Sequence, residues 1–238
     1  MGLILNIETA TNACSVALAH NGNITTLKES LEEKSHSALL SVFIEEILSI
    51  NKLSVSRLDA IAISKGPGSY TGLRIGVSTA KGLCYGGNVP LISVSTLQAM
   101  ASGILTHESI NNMNLKSLKE TLFCPMIDAR RMEVFTGIYD YSNKTIEDIQ
   151  AKIIDQSSFD KYLSAKKVVL FGTGAHKCKQ ILKNKNLIII DKFNTSAKYM
   201  VDLAENAYKK EIFENVAYFE PFYLKDFIAT VPKRKLKL

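Results

Sequence analysis

The sequence lacks the residue pairs that most metal and redox sites require. It has no tryptophan, and its four cysteines are widely scattered without a CxxC pair. Its four histidines are isolated from one another, whereas helical zinc sites use two histidines three or four positions apart. We therefore predict no metal site and reduced, mostly buried cysteines, with His36 serving as a helix cap or a surface contact.

Signatures of hydrolysis, secretion and membrane insertion are also missing. The sequence contains no GxSxG elbow, and no apolar run approaches the roughly 20 residues of a membrane-spanning helix. The first residues have no basic segment and reach an acid at Glu8, which is typical of a buried strand and not of a signal peptide. These absences predict a cytoplasmic protein without membrane contact.

The composition is that of a folded protein with a modest basic bias. Of the 238 residues 46% are hydrophobic, which suits one domain or two compact lobes. The formal net charge is +6, but four basic residues crowd into the last six positions, which we interpret as a solvated tail. Because aromatic and basic residues are not interleaved, we predict that any contact with tRNA or other nucleic acid is indirect, shared with a partner.

The first half of the chain predicts three strands followed by alternating helices and strands. An apolar run ends at Glu8, a second strand starts at Cys14, and Asn21-Gly22 is typical of a two-residue hairpin turn. Apolar residues at helical spacing then continue to Ile50. The run LDAIAIS at 58–64 is apolar enough for burial on both faces, which favours a central parallel strand.

The second half repeats the opening of the first. The run LFCPMID ends at Asp128 as the first run ends at Glu8, and a strand follows from Met132 to Tyr139. These matching places indicate a duplicated unit. We predict an α/β fold with mixed sheets, divided into an N-terminal lobe (1–105), a connection (106–119), a smaller C-terminal lobe (120–210) and an extended, basic C-terminal segment (211–238).

The most distinctive stretch is the glycine loop KGPGSYTGLRIG, from Lys65 to Gly76. It lacks the Lys-Ser/Thr of a Walker loop, and Thr71 stands where a dinucleotide fingerprint needs its third glycine. Pro67 and the glycines give the loop a defined shape, and Ser69 or Thr71 can cap the helix that follows. The residues leave two interpretations open: a tight strand-to-helix turn with close packing, or a surface that binds an anion or a partner.

Two strand-end acids are the remaining candidates for chemistry. In a two-lobed nucleotide-binding fold, Glu8 and Asp128 would face the cleft and could hold Mg²⁺ or orient a water. Alternatively, Asp128 accepts hydrogen bonds from turn N–H groups and is neutralised by Arg130 and Arg131. The turn at 172–174, Gly-Thr-Gly, could approach a nucleotide base, although a single GxG after a strand specifies little.

Five motifs together closely resemble the TsaB (YeaZ) family. They are IETAT at 7–11, KGPGSYTGLRIG at 65–76, VSTL at 94–97, IDAR at 127–130 and EPFYL at 220–224. The resemblance implies the two-lobed, RNase H-like duplicated fold of actin, Hsp70 and sugar kinases (the ASKHA fold). It also implies a role in making N6-threonylcarbamoyladenosine (t6A) at position 37 of tRNAs that read ANN codons.

The same resemblance implies a subunit without catalytic residues of its own. The family's larger paralogue, TsaD, transfers the threonylcarbamoyl group, and an ATPase subunit, TsaE, assists, so ATP and Mg²⁺ belong to the complex and no cofactor to this chain alone. TsaD carries metal-binding histidines in a VHHxxxH motif, where this chain reads VSTLQAM at 94–100. At the first hairpin Asn12-Ala13 replaces an additional Asp-Glu of TsaD.

The resemblance places partner binding on the first-lobe helices, which would pair with TsaD or with a second copy of this chain. The predicted partner-binding residues are His36, Phe43, Gly66, Pro67, Gly68, Ser69, Tyr70, Thr71, Gly72, Arg74, Gly76 and Ala80. Small residues would let a facing helix come near, so Gly76→Leu or Ala80→Trp is predicted to disrupt binding without unfolding.

A vestigial nucleotide cleft is predicted beside this surface. Its candidate residues are Glu8, Thr9, Asp128, Gly172, Thr173 and Gly174. Two alternative functions are a small phosphotransferase of the acetate- or sugar-kinase type and a metallopeptidase. The sequence offers no set of metal ligands for a metallopeptidase.

Overall fold

In a computed structural model that describes residues 2–32, 36–111 and 114–225, the chain forms two five-stranded mixed sheets with helices on their faces. The strands are β1 (Leu3–Glu8), β2 (Cys14–His20), β3 (Asn23–Ser30), β4 (Ala60–Gly66), β5 (Leu91–Ser95), β6 (Thr121–Asp128), β7 (Glu133–Tyr139), β8 (Thr145–Ile153), β9 (Lys167–Phe171) and β10 (Leu187–Ile190). The α-helices are α1 (His36–Ile50), α2 (Tyr70–Gly87), α3 (Thr96–Gly103), α4 (Glu108–Asn111), α5 (Leu115–Lys119), α6 (Asp160–Leu163) and α7 (Val201–Lys209).

The two sheets share one topology, which confirms the predicted duplicated α/β fold. The first sheet has the order β3-β2-β1-β4-β5 and the second β8-β7-β6-β9-β10. In each, the first three strands in the chain pair antiparallel and the last two are added in parallel. The apolar runs β1 and β6 lie at the centre because both of their faces are buried.

Local sequence signals explain why the β2–β3 hairpin was predicted and strand β8 was missed. Asn21 and Gly22 have φ values of 55° and 79°, so the β2–β3 turn takes the left-handed conformation that this pair favours. Strand β8, TIEDIQAKI, was not predicted, because it is a polar edge strand with no fully buried residue. Helix α2 begins at Tyr70, within the glycine loop motif.

Helices α1 and α2 cover one face of the first sheet, and α7 covers the other. Met200 and Ala204 pack with Ile4, Ala62 and Ile92, so α7 belongs with the first sheet although it follows the second in sequence. The predicted division, which placed 201–210 in the C-terminal lobe, is therefore wrong here. The reason is that strands buried on both faces need a second apolar layer, which only a later segment supplies.

Helix α3 lies between the two sheets. Ala99 packs in the cluster of the first sheet, whereas Met100 and Ile104 pack with Phe123 and Phe171 of the second. The predicted connection at 106–119 contains the short helices α4 and α5.

The last described segment runs back along the first sheet, where Glu214 bridges Leu91 of β5. The basic tail at 233–237 lies outside the described residues. Across the described ranges, no helix has both the length and the apolar character needed to span a bilayer.

Candidate functional site

The glycine loop and α2 are packed against the chain's own first turn, between β1 and β2. A Cβ atom added to Gly68 or Gly72 would lie 2.2 Å from the carbonyl oxygen of Ala10 or Thr9, respectively. One added to Gly76 would lie 2.2 Å from Thr9 Oγ1. A real Cβ atom does not come this close to another heavy atom. The absence of a Cβ at these glycines therefore allows the glycine loop and α2 to contact the turn between β1 and β2.

The predicted approach of a partner through Gly76 and Ala80 is therefore wrong. Both residues are buried, Ala80 completely, so leucine or tryptophan there would disrupt the core and could not leave the fold intact. His36 is also buried and not a surface contact, with its Nε2 atom 3.2 Å from the Ala13 carbonyl oxygen. Gly66, Pro67 and Gly72 are buried as well.

The remaining predicted partner-binding residues do reach the surface. Ser69, Thr71 and Arg74 are exposed, and Gly68, Tyr70 and Phe43 are half-buried. Ser69 Oγ accepts a hydrogen bond of 3.3 Å from Gly72 N, which confirms the predicted cap of α2.

An aromatic and cationic cluster stands at the start of α2. The Arg74 guanidinium lies 5.5 Å from the centre of the Tyr70 ring and donates to Tyr70 Oη at 3.3 Å. The Tyr223 ring, from the EPFYL motif, lies 4.9 Å from the Tyr70 ring. The structure therefore joins two motifs that are about 150 residues apart in the sequence.

Backbone contacts hold this C-terminal segment in place. Phe222 N donates to the Lys65 carbonyl oxygen at 2.7 Å. Lys81 Nζ, on α2, donates to the carbonyl oxygens of Ala217 and Phe219 at 3.1 and 3.0 Å. We call residues 214–225 the C-terminal strap, because they cross the glycine loop and α2.

An open, largely apolar groove of about 460 Å³ lies between α1 and α2. Its lining residues are Ser41, Ile44, Glu45, Leu48, Ser49, Leu53, Thr79 and Leu83. Val42 and Ile50 on α1 are 41% and 61% exposed. The sequence predictions missed the groove, although the apolar face of α1 is broader than one sheet contact requires, and that breadth was the available signal.

Glu8 is enclosed at the junction of β1, β4 and the first turn. Its side chain is buried, and Oε1 accepts hydrogen bonds from Ala10 N at 2.6 Å and Ser64 Oγ at 3.0 Å. Burial raises the pKa of this carboxyl from 4.5 to about 7, because the hydrogen bonds offset only part of the lost hydration. Thr9, predicted to lie in the same cleft, is fully buried against α2.

Asp128 lies at the matching position of the second sheet but is half exposed. It accepts from Arg130 N at 2.8 Å and from Lys177 Nζ at 2.5 Å. Its own N–H donates to Thr173 Oγ1 at 3.1 Å, so the structure does bring Asp128 and Thr173 together. The hydrogen bond to the turn was predicted; the neutralising cation is Lys177, and not Arg130 or Arg131, because the short 3-10 helix at 176–180 places Lys177 over the strand end.

Gly172 and Gly174 pack against the chain itself. Gly172 has φ +98°, and a Cβ there would lie 2.5 Å from the Met126 carbonyl oxygen. A Cβ on Gly174 would lie 2.8 Å from Val134 Cγ1. Their approach to a nucleotide base stays a prediction, but the contacts seen are with β6 and β7.

The cysteines behave as the sequence predicted. All four are buried and unpaired by disulfides, and burial raises the pKa of Cys84 and Cys124 to about 12. Within 2–32, 36–111 and 114–225, no three His, Cys, Asp or Glu side chains are grouped so that they could share a metal ion.

Comparisons with known proteins agree on one family. The sequence model of TsaD, described as tRNA N6-adenosine threonylcarbamoyltransferase, matches residues 29–233. The chain is 31% identical over 233 residues to a protein of Escherichia coli (strain K12) named tRNA threonylcarbamoyladenosine biosynthesis protein TsaB, covering 95% of this chain and 96% of that protein. It is 29% identical over 226 residues to the protein of the same name from Haemophilus influenzae, covering 94% and 93%.

A solved structure supports the same fold. YeaZ from Pseudomonas aeruginosa superposes with a TM-score of 0.78 at 23% identity, covering 94% of this chain and 100% of that one.

Proposed function

This chain belongs to the TsaB (YeaZ) family of tRNA threonylcarbamoyladenosine biosynthesis proteins, and on that premise we propose that it is a non-catalytic subunit that binds a TsaD-type threonylcarbamoyltransferase. Its role in t6A biosynthesis follows from the family. The specific proposal is that it acts by assembly, and that t6A formation on ANN-decoding tRNAs takes place on the partner.

The observation that carries the proposal is the groove between α1 and α2. Apolar side chains of Ile44, Leu48, Leu53 and Leu83 line an opening of about 460 Å³ on the surface. Large exposed apolar patches mark interaction surfaces in proteins that otherwise keep such side chains inside. A pair of helices from the TsaD-type partner would fill the groove as a four-helix contact, since helices pack by inserting ridges of side chains into grooves.

The state of the predicted cleft residues supports a non-catalytic role. Glu8 is enclosed and hydrogen-bonded to its own turn, and one carboxylate oxygen of Asp128 is held by Lys177. The space beside the glycine loop, where a phosphate would approach in a nucleotide-binding protein, is filled by the carbonyl groups of Thr9 and Ala10. These arrangements argue against the phosphotransferase alternative.

The wider assembly is part of the same proposal. A TsaE-type ATPase would join through the TsaD-type subunit, which would also hold the adenosine of tRNA that is modified. ATP and Mg²⁺ would serve the complex, and in the absence of the partner the groove would pair with a second copy of the chain.

The proposal is tested by reconstituting t6A formation with purified subunits and by placing charge in the groove. Ser41→Arg with Ser49→Arg introduces two bulky cations at exposed helix positions, where arginine is a good helix former. Ser164→Arg with Ala165→Arg, both exposed on the second lobe, adds the same charge and is the matched control. Size-exclusion chromatography measures assembly, and nucleoside mass spectrometry measures t6A.

We expect product only when the chain and the TsaD-type protein are both present. The groove variant should melt like the parent protein, fail to assemble and give no t6A. The control should assemble and support t6A formation. Product formed by this chain alone, or full assembly by the groove variant, would refute the proposal.

A further inference from the structure

We propose that the tip of the β6–β7 hairpin, Arg130-Arg131, binds the phosphate backbone of tRNA, an inference that rests on the proposed role in tRNA modification. The hairpin lies on the second lobe, whereas the groove proposed for the protein partner lies on the first. The two surfaces would then serve two different partners.

The two arginines form the tip of a closed turn. Ala129 N donates to the Glu133 carbonyl oxygen, and Glu133 N donates to that of Arg130, both at 3.1 Å. Both arginine side chains are exposed. Neither guanidinium has a hydrogen-bonding or ionic partner among the residues that the structure describes. Their ten N–H donors are thus available to a ligand.

The backbone of the turn is one that arginine does not favour. Arg130 and Arg131 have φ values of 71° and 50°, in the left-handed region, where most L-residues are destabilised. Elsewhere Lys52, Lys192 and Glu211 take this conformation singly, whereas the adjacent pair in the β2–β3 turn is Asn21-Gly22, which tolerates it. Two adjacent arginines at such a turn indicate that the position is kept for its side chains, since unfavourable backbone conformations concentrate at functional sites.

The neighbouring acids do not neutralise the tip. Asp128 is paired with Lys177, and Glu133 is paired with Lys225, the last described residue. Each of these two carboxylates is thus paired with a lysine. The positive charges of the two guanidinium groups are therefore not balanced by Asp128 or Glu133. Beyond Lys225 the sequence adds four more basic residues at 233–237.

Phosphate is the ligand that suits this arrangement. The planar guanidinium group presents paired N–H donors that match two oxygens of one phosphate, and the attraction between opposite charges adds to those hydrogen bonds. Contacts of this kind position a nucleic acid without reading its bases. The tip would therefore orient tRNA in the complex, and the choice of base would be left to the catalytic partner.

The test uses a variant that removes the charge and at the same time suits the turn. Arg130→Asn with Arg131→Gly gives the Asn-Gly pair that favours this conformation, so a loss of folding cannot explain a loss of binding. The matched control is Lys166→Gln with Lys167→Gln, which removes the same charge. Lys167 pairs with Thr121 at the start of β6, roughly 23 Å along the strand from Asp128.

Binding of fluorescently labelled tRNA is followed by anisotropy across a salt series, with the full-length chain alone and with the assembled complex. We expect the hairpin variant to melt no lower than the parent protein and to bind tRNA at least several-fold more weakly. The slope of log K against log salt should fall by about 2, about one for each phosphate that an arginine neutralises in the parent protein. The control should keep the slope of the parent protein.

An unchanged salt slope for the hairpin variant, or an equal fall for the control, overturns the inference. Loss of assembly with the TsaD-type protein while tRNA binding is kept also overturns it, since the tip would then be a protein contact. The parent protein could fail to assemble with the TsaD-type protein while the isolated hairpin variant still shows the expected fall in the slope of log K against log salt. In that case this inference stands and the proposed function fails.

Discussion

Replacing Glu8 by glutamine should change how the stability of the protein depends on pH. Glu8 is 1% exposed, and Oε1 accepts hydrogen bonds from Ala10 N and Ser64 Oγ. Glutamine has nearly the same shape, and its carbonyl oxygen can accept the same two bonds. The substitution therefore removes the ionisation of the side chain and leaves its main contacts in place.

The magnitude follows from the pKa. Burial raises the pKa of Glu8 from 4.5 to about 7, so between these values the native protein holds a proton that the unfolded chain has released. The free energy of unfolding must then fall as pH rises from 4.5 to 7 and level off above 7. At 1.36 kcal/mol per pKa unit the loss is about 3 kcal/mol, which corresponds to roughly 6–12 °C in Tm for a chain of this size.

Urea unfolding of both proteins at a series of pH values isolates this effect. The difference in unfolding free energy, Glu8→Gln minus parent, should increase by about 3 kcal/mol between pH 4.5 and pH 8, because only the parent protein must bury a charge at the higher pH. Any difference in packing would appear as a constant offset at every pH. A difference that stays flat across this range would refute the assignment of a raised pKa to Glu8.

Three further predictions concern α2, the strap and the cysteines. Gly72→Ala should destabilise the protein by roughly 1–3 kcal/mol in urea unfolding, because the new Cβ would meet the Thr9 carbonyl oxygen at 2.2 Å. Gly82→Ala in the same helix, with open space around it, should stabilise by about 0.5–1 kcal/mol, and equal effects would contradict the packing described. Lys81→Met removes two hydrogen bonds to the strap and should speed hydrogen exchange at 214–225, which mass spectrometry can measure; unchanged exchange would show that Lys81 does not hold the strap. All four cysteines should react with a thiol reagent only after denaturation, because they are buried, and rapid reaction of the native protein at pH 8 would contradict this.

Much of the fold could be read from the sequence because its signals are local. The Asn21-Gly22 turn and the cap by Ser69 depend on atoms within a few residues of each other. The apolar runs before Glu8 and Asp128 predicted the central strands, since burial on both faces leaves few polar residues. Strand β8 was missed because an edge strand does not need that pattern.

The candidate site was predicted less well, because its contacts join distant parts of the chain. The glycine loop was correctly identified as a shaped element, and one of the two interpretations left open, close packing after a tight turn, describes Gly68, Gly72 and Gly76. The prediction that Gly76 faces a partner was wrong, since a small residue looks the same in a sequence whether its neighbour is internal or external. The groove between α1 and α2 depends on how two helices are spaced, which neither helix specifies alone.

The sequence by itself determined the order of the strands apart from β8, the duplicated plan and the family, because each depends on short-range propensity or on a contiguous motif. The tertiary structure alone decided that the first turn fills the glycine loop, that α7 covers the first sheet, and that Lys177 holds Asp128. These three contacts join residues about 50 to 200 positions apart. Many partners of similar polarity compete for each such contact, and the choice among them is made only when the sheets and helices pack together.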